Sequence, residues 1–184
     1  MTNERTLLER AKQYDEVALG ELYDRYAPRI YAYIYRRVGS AHLAEDLTGD
    51  VFVRVIQAIQ AEHFWRTSFQ AWLYRIAHNL VVDYYRRQSP TTVELELDEQ
   101  MIASEDNLTD TVTTRLSNQS LRTAINRLTP GQQQVLALRF GEGLTARETA
   151  EVMDKSVGAI EALQHRALAA LRRVLEKEYQ YGTP

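Results

Sequence analysis

Residues 68–87 read SFQAWLYRIAHNLVVDYYRR. The apolar members Phe69, Trp72, Leu73, Ile76, Ala77, Leu80, Val81 and Tyr84 recur in alternating steps of three and one. That is the stripe of one amphipathic α-helix packed on a core. The other side carries Tyr74, Arg75, His78, Asn79, Tyr85, Arg86 and Arg87, with Asp83 its only acid. Flat rings stack on unpaired bases, an Asn amide donates and accepts at a base edge, and Arg neutralises phosphate. A plain solvated helix face has the same outline, so what surrounds the helix decides between the two.

Outward from this stretch the chain reads as helical in both directions. Only four Pro and eight Gly interrupt it, and an alternating β pattern is confined to Thr92–Leu97. A short helix is expected over Glu4–Gln13. Asp15 is placed to cap a long second helix to Val38, with Leu19, Leu22, Tyr23, Tyr26, Ile30, Tyr33 and Ile34 inward. Ser40 caps a third to Gln60, with Leu43, Leu47, Val51, Val55, Ile56 and Ile59 inward. Together with the helix over 69–87 these make a compact four-helix bundle.

Beyond it, residues 88–107 hold Pro, Ser, Thr and acids with little to bury, the composition of a flexible linker. An apolar period resumes at Leu108, Val112, Leu116, Leu121, Ile125 and Leu128. Thr129-Pro130-Gly131-Gln132 combines a capping box with Pro at the first helical position, and Thr145-Ala146-Arg147-Glu148 is a second capping box. Gly141 and Gly143 end the helix between them, and Ser156 caps a last helix from Val157 toward Gln180. The expected fold is therefore all-α. It comprises an N-terminal bundle over 1–88, an acidic linker over 89–114 and a C-terminal helix-turn-helix domain over 115–180.

The helix-turn-helix lies between Ala146 and Arg166. Ala150 is small where two helices cross. Asp154 stands in the tight turn, where the left-handed conformation is needed and Asp tolerates it. Ile160 and Leu163 seat the second helix on the first. The exposed residues Ser156, Ala159, Glu161, Ala162, His165 and Arg166 would then enter a major groove. A helical hairpin without DNA contacts has the same spacing, and a repressor would use the same geometry.

Composition narrows the classes. The 184 residues suffice for one domain or two small ones, and the absence of cysteine removes disulfides and thiolate sites together. No apolar run reaches the roughly 18 residues of a membrane span, and the opening MTNERTLLER is unlike a signal peptide. Two glycosylation-type sequons, at Asn107 and Asn118, are then chance matches. Net charge is −3, which argues against coating DNA by bulk electrostatics. The charge is uneven: residues 88–114 hold seven acids and no Lys or Arg, leaving 22 basic against 18 acidic residues elsewhere. No GxGxxG, Walker loop, GxSxG or HExxH occurs, and His42, His63, His78 and His165 are far apart in sequence. Asp46 and Asp50 share one helix face, but no nucleophile or base with a recognisable motif accompanies them. No enzyme activity, cofactor or metal is expected.

The run Trp72-Leu73-Tyr74-Arg75-Ile76-Ala77, with Asn79, Asp83-Tyr84 and Arg86-Arg87, closely resembles the promoter-melting helix of extracytoplasmic-function sigma factors. These are small alternative specificity subunits of bacterial RNA polymerase. Leu128-Thr129-Pro130, Leu138-Arg139, Gly143-Leu144-Thr145, Glu148-Thr149-Ala150 and Val157-Gly158-Ala159-Ile160 resemble the module of that family that reads the −35 promoter element. The resemblance covers roughly 15–88 and 118–176. It implies recognition of the −10 element by Trp65, Arg66, Tyr74, Arg75, His78, Asn79, Arg86 and Arg87, with a base flipped toward the loop at 63–68. By matched position it implies −35 contacts from Glu161, Ala162, His165 and Arg166, to which the helix-turn-helix geometry adds Ser156 and Ala159. Ala44-Glu45-Asp46-Leu47 and Asp50-Val51-Phe52 are similar to the surface that binds the polymerase clamp coiled coil, which implies core binding through Glu45, Asp46, Gly49, Asp50 and Phe52.

Further implied partners are the polymerase flap, promoter DNA and an anti-sigma factor. The location implied is the cytoplasm, with the membrane reached only through that anti-sigma factor. The chain also departs from the family. Glu161 replaces a usual Lys or Arg, Ala162-Leu163 replaces a Ser-Arg pair, Gly49 replaces a polar residue, and the loop at 63–68 lacks the common Arg-Gly-acid run. A stand-alone repressor or activator using only the C-terminal motif is the main alternative. A helical module that sequesters partners is a third reading, but it leaves two DNA-facing helices without a use.

Overall fold

The computed structural model describes residues 3–65, 67–88 and 121–181, with side chains to residue 176. Arg66, the expected linker at 89–114 and the apolar period from Leu108 to Leu116 lie outside the described residues. Among the described residues all regular structure is helical. Contacts divide the chain into two compact units, residues 1–87 and 88–184.

The first unit contains α1 (Glu4–Ala11), α2 (Glu16–Val38), α3 (Ala41–Gln60) and α4 (Phe69–Gln88). Each start is fixed by a side-chain oxygen that accepts an otherwise orphaned backbone N–H. Asn3 accepts from Arg5, Asp15 from Ala18, Ser40 from Leu43 and Ser68 from Ala71. Helix α2 stops because Gly39 adopts φ 66°, a left-handed conformation natural to glycine. It packs on α3 and on α1. Aromatic rings join α2 to α4: Tyr33 meets Tyr74 edge to face at 5.0 Å, and Tyr26 meets Phe69 at 5.4 Å. Such pairs add roughly 0.5–1.5 kcal/mol each beyond the area they bury.

Two inward assignments on α2 and α3 are corrected. Tyr23 on α2 and Ile56 on α3 are exposed at 47 % and 39 %. They lie with Leu19, Leu22 and Phe69 around an apolar groove of about 220 Å³ between α2 and α3.

The described part of the second unit begins with helical residues 121–126, followed by α5 (Pro130–Leu136), which runs directly into a single π-helical turn, Ala137–Gly141. Then come α6 (Ala146–Met153) and α7 (Val157–Tyr181). Both capping boxes form: Thr129 exchanges bonds with Gln132, and Thr145 with Glu148. Gly143, two residues past the π turn, takes a left-handed φ of 73°. The core here includes Leu128, Val135, Leu138, Leu144, Val152, Ile160 and Ala167, and α7 packs on both α5 and α6.

Candidate nucleic-acid interface

The turn between α6 and α7 has the geometry that a DNA-reading helix pair needs. Asp154 takes φ 51° and ψ 48°, and its N–H reaches the Ala150 carbonyl. The Lys155 N–H reaches the same carbonyl at 3.0 Å. Ala150 is buried at the crossing, and Ile160 is fully buried on the inner side of α7, while Leu163 is only half-buried. Ser156 opens α7 by accepting from the Ala159 N–H at 3.2 Å.

All six expected readers, Ser156, Ala159, Glu161, Ala162, His165 and Arg166, are exposed. Glu161, Ala162, His165 and Arg166 repeat at one-, three- and four-residue steps, so they share the side of α7 opposite Ile160 and Ala167. Sequence reasoning gave Arg139 no role, and the structure supplies one. Its Nε donates to Gln164 Oε1 on α7 at 2.8 Å, and another guanidinium nitrogen donates to the Leu144 carbonyl just before α6. One planar fork thus ties α7 and the segment leading into α6 to the π turn.

On α4 the structure sorts the expected readers into three groups. Arg75, Asn79 and Arg86 are exposed and lie four and seven residues apart on one face. Asp83 approaches Arg86 at 3.8 Å. His78 is half-buried and Arg87 is exposed at the end of the helix, off that face. Tyr74 is a correction: it is fully buried against Tyr33 and cannot meet a base. Tyr85 likewise turns inward, its hydroxyl donating to the Arg37 carbonyl at 2.7 Å. Burial, and then the adjoining Tyr84, hold its phenol above the ordinary tyrosine value.

Trp72, expected inward, is only half-buried and stands seven residues before Asn79 on the same face. Trp65 packs on Phe69 at 5.0 Å and on Trp72 at 5.8 Å. Ring surface therefore continues from the loop onto the α4 face that carries Asn79.

The acidic face of α3 is exposed at Glu45, Asp46, Gly49 and Asp50. His42 Nδ1 stands 3.4 Å from Asp46. Phe52 is a correction to that face: it is 8 % exposed, its ring meeting Tyr23 at 4.8 Å. Beside Glu45 a groove of about 340 Å³ runs between α2 and α3, walled by Tyr23, Ala27, Pro28, Tyr31 and Thr48. A methyl group built on Gly49 would meet nothing within 4 Å.

These features define a class: a helix-turn-helix unit joined in sequence to a helical unit with an aromatic and basic face. Comparison with known proteins sharpens it. Residues 22–91 match Sigma-70 region 2, and residues 124–173 match Sigma-70, region 4. The ECF RNA polymerase sigma factor BldN of Streptomyces coelicolor is 43 % identical over 92 % of this chain, and this chain spans 64 % of that relative's length. The ECF RNA polymerase sigma factor SigW of Bacillus subtilis is 29 % identical over 91 % of this chain and 94 % of its own. In structure, CnrH, solved in complex with the cytosolic domain of CnrY, matches with a TM-score of 0.64 at 26 % identity. That match covers 95 % of this chain and 98 % of the other. The chain belongs to the Sigma-70 family, as an extracytoplasmic-function sigma factor.

Proposed function

We propose that this sigma factor binds core RNA polymerase and directs initiation at promoters carrying particular −35 and −10 elements, its two units dividing the work. The supporting observation is the order of two exposed faces in one chain. The first is an aromatic and basic face, with Trp65, Trp72, Arg75, Asn79 and Arg86, in the part that matches region 2. The second is the exposed start of α7, in the part that matches region 4. A repressor needs only the second.

In this reading, a base of the −10 element leaves the stack and is held by ring contact at Trp65 and edge contact at Asn79. Arg75 and Arg86 neutralise phosphates of the opened strand. Glu161, Ala162, His165 and Arg166 meet the −35 major groove, where the Glu161 carboxylate accepts from cytosine N4 and the Arg166 guanidinium meets a guanine edge or phosphate.

Glu45, Asp46, Gly49 and Asp50, with the groove beside Glu45, receive the polymerase clamp coiled coil, and the second unit receives the flap. RNA synthesis is left to the polymerase. The protein works in the cytoplasm, and no helix among the described residues is long and apolar enough to cross a membrane. An inhibitory protein that covers the polymerase-binding face completes the proposal; among similar structures, CnrH is solved in complex with the cytosolic domain of CnrY.

The test is reconstitution. Purified protein with core polymerase should start transcripts at a restricted set of promoters. Duplex binding by the protein alone, with no transcripts in the presence of core, would establish a repressor instead.

A further inference from the structure

The short helix α1 delivers a cation to the loop that precedes α4. Lys12 caps α1, and its Nζ lies 5.3 Å from the centre of the Phe64 ring and 5.0 Å from that of Trp65. The Glu9 carboxylate holds the same ammonium at 2.9 Å, and the Lys12 side chain is 27 % exposed. A cation over a ring face is attracted by the ring quadrupole, more strongly as water is excluded.

The backbone on both sides of this contact is set by unusual torsions. Tyr14, two residues on, takes φ 62°, a left-handed conformation that bulky side chains avoid. Its hydroxyl donates to the Ile56 carbonyl in the last turns of α3, at 3.2 Å. Glu62 takes φ 55° just after α3, and the His63 N–H bonds the Ala58 carbonyl at 2.8 Å. The turn after α1 and the exit of α3 are therefore tied together, with Lys12 and the two rings between them.

Stacking alone is tolerant of base identity because every base has a π-face. Selectivity requires the ring to hold a fixed plane relative to a hydrogen-bonding edge. Trp65 packs on Trp72, and Trp72 shares the α4 face of Asn79. We infer that Lys12 is a positioning residue for −10 base selection: its ammonium over Phe64 and Trp65 fixes the ring on which the flipped base stacks. The inference rests on the reading of this loop as the −10 base site.

Two measurements on the full chain test it. With Trp72→Phe, Trp65 is the sole tryptophan, since the sequence has two. Acrylamide quenching of its fluorescence should rise about two- to fivefold in Lys12→Met and stay at the parent value in Lys12→Arg, which restores the cation. In holoenzyme, a randomised −10 library should show Lys12→Met losing base preference at one position by a similar two- to fivefold factor. The −35 preference should be kept, and Lys12→Arg should recover the −10 preference. Unchanged quenching, or raised quenching with intact base preference, overturns the role of Lys12. Trp65→Ala separates the two levels. If it leaves the −10 preference intact, the base site is elsewhere and both readings fall. If it abolishes the preference while Lys12→Met does not, only the inference about Lys12 falls.

Discussion

The Asn79 amide and the Tyr74 ring lie five residues apart on α4, yet substitutions at them should fail in different ways. Tyr74 is fully buried and packed edge to face on Tyr33. Tyr74→Ala should therefore cost about 3–5 kcal/mol of stability, the range for emptying an aromatic site in a core, read as a fall in denaturation midpoint. Asn79 is exposed, so Asn79→Ala should change stability by no more than about 0.5 kcal/mol. It should weaken preference at one −10 position in a promoter library, and an unaltered preference would remove Asn79 from the site. Glu161 offers a second test at this scale. A carboxylate in a major groove accepts from cytosine N4 but repels the flanking phosphates. Glu161→Gln keeps an acceptor and adds a donor while removing the charge. Holoenzyme carrying it should bind mixed-sequence DNA more tightly, while discrimination at one −35 base pair falls by roughly 1–3 kcal/mol. If both quantities stay at their parent values, Glu161 lies outside the groove.

Helix α3 gives the sharpest prediction among the elements. Gly49 sits in its middle with open space where a methyl group would stand. Gly49→Ala should therefore stabilise the isolated chain by roughly 1 kcal/mol. If polymerase approaches this backbone as proposed, the same change should weaken core affinity, a combination that a passive surface position would not give. The start of α2 carries a pH dependence. Asp15 accepts the Arg10 Nε–H at 2.7 Å and the Ala18 N–H, and the Arg10 bond foremost holds its carboxyl below the usual carboxylate value. A depressed folded value contributes stability that is fully present above the unfolded value of about 3.9 and is lost as pH falls through the folded one. Asp15→Asn should flatten that acid limb of the melting curve while leaving the cap itself in place. The helices themselves were legible because caps are local: Asp15, Ser40, Thr129, Thr145 and Ser156 announce starts by side chains that act within three residues. The phase of α4 was harder to read. Trp72 and Tyr74 are both aromatic, and hydropathy favours burying the tryptophan. The stripe of steps of three and one admits Trp72 as well, and only the observed burial shows that Tyr74, three residues before buried Ala77 and seven before buried Val81, lies at its centre. Phe52 and Tyr23 were misplaced for a related reason. Each covers the other at the edge of a groove, and only tertiary packing tells which ring is sheltered. The contact of Arg139 was not legible from the chain, since its partner Gln164 is 25 residues away.

For the whole molecule, the controlling quantity is where charge sits along the chain. The protein carries −3, yet without the seven acids between Glu94 and Asp110 it holds 22 basic and 18 acidic residues. DNA affinity without sequence preference follows the number of phosphates neutralised, with a salt slope near −0.9 for each. A net negative chain has little of this attraction to spare, so the free protein should bind duplex promoter DNA weakly. In the polymerase, core contacts would supply the affinity that the free chain lacks, leaving its side chains to choose the sequence. Replacing the seven acids by Ser or Gln tests whether they help maintain this division. If they weaken DNA binding by their field, the variant should bind duplex DNA more tightly and with less regard for sequence. The gain should shrink as salt rises and the Debye length falls toward about 3 Å at 1 M. Transcription by the variant holoenzyme should then spread to promoters with poorer −35 and −10 matches. If duplex affinity and promoter range both stay at their parent values across the salt series, the acids join the two units without acting on DNA.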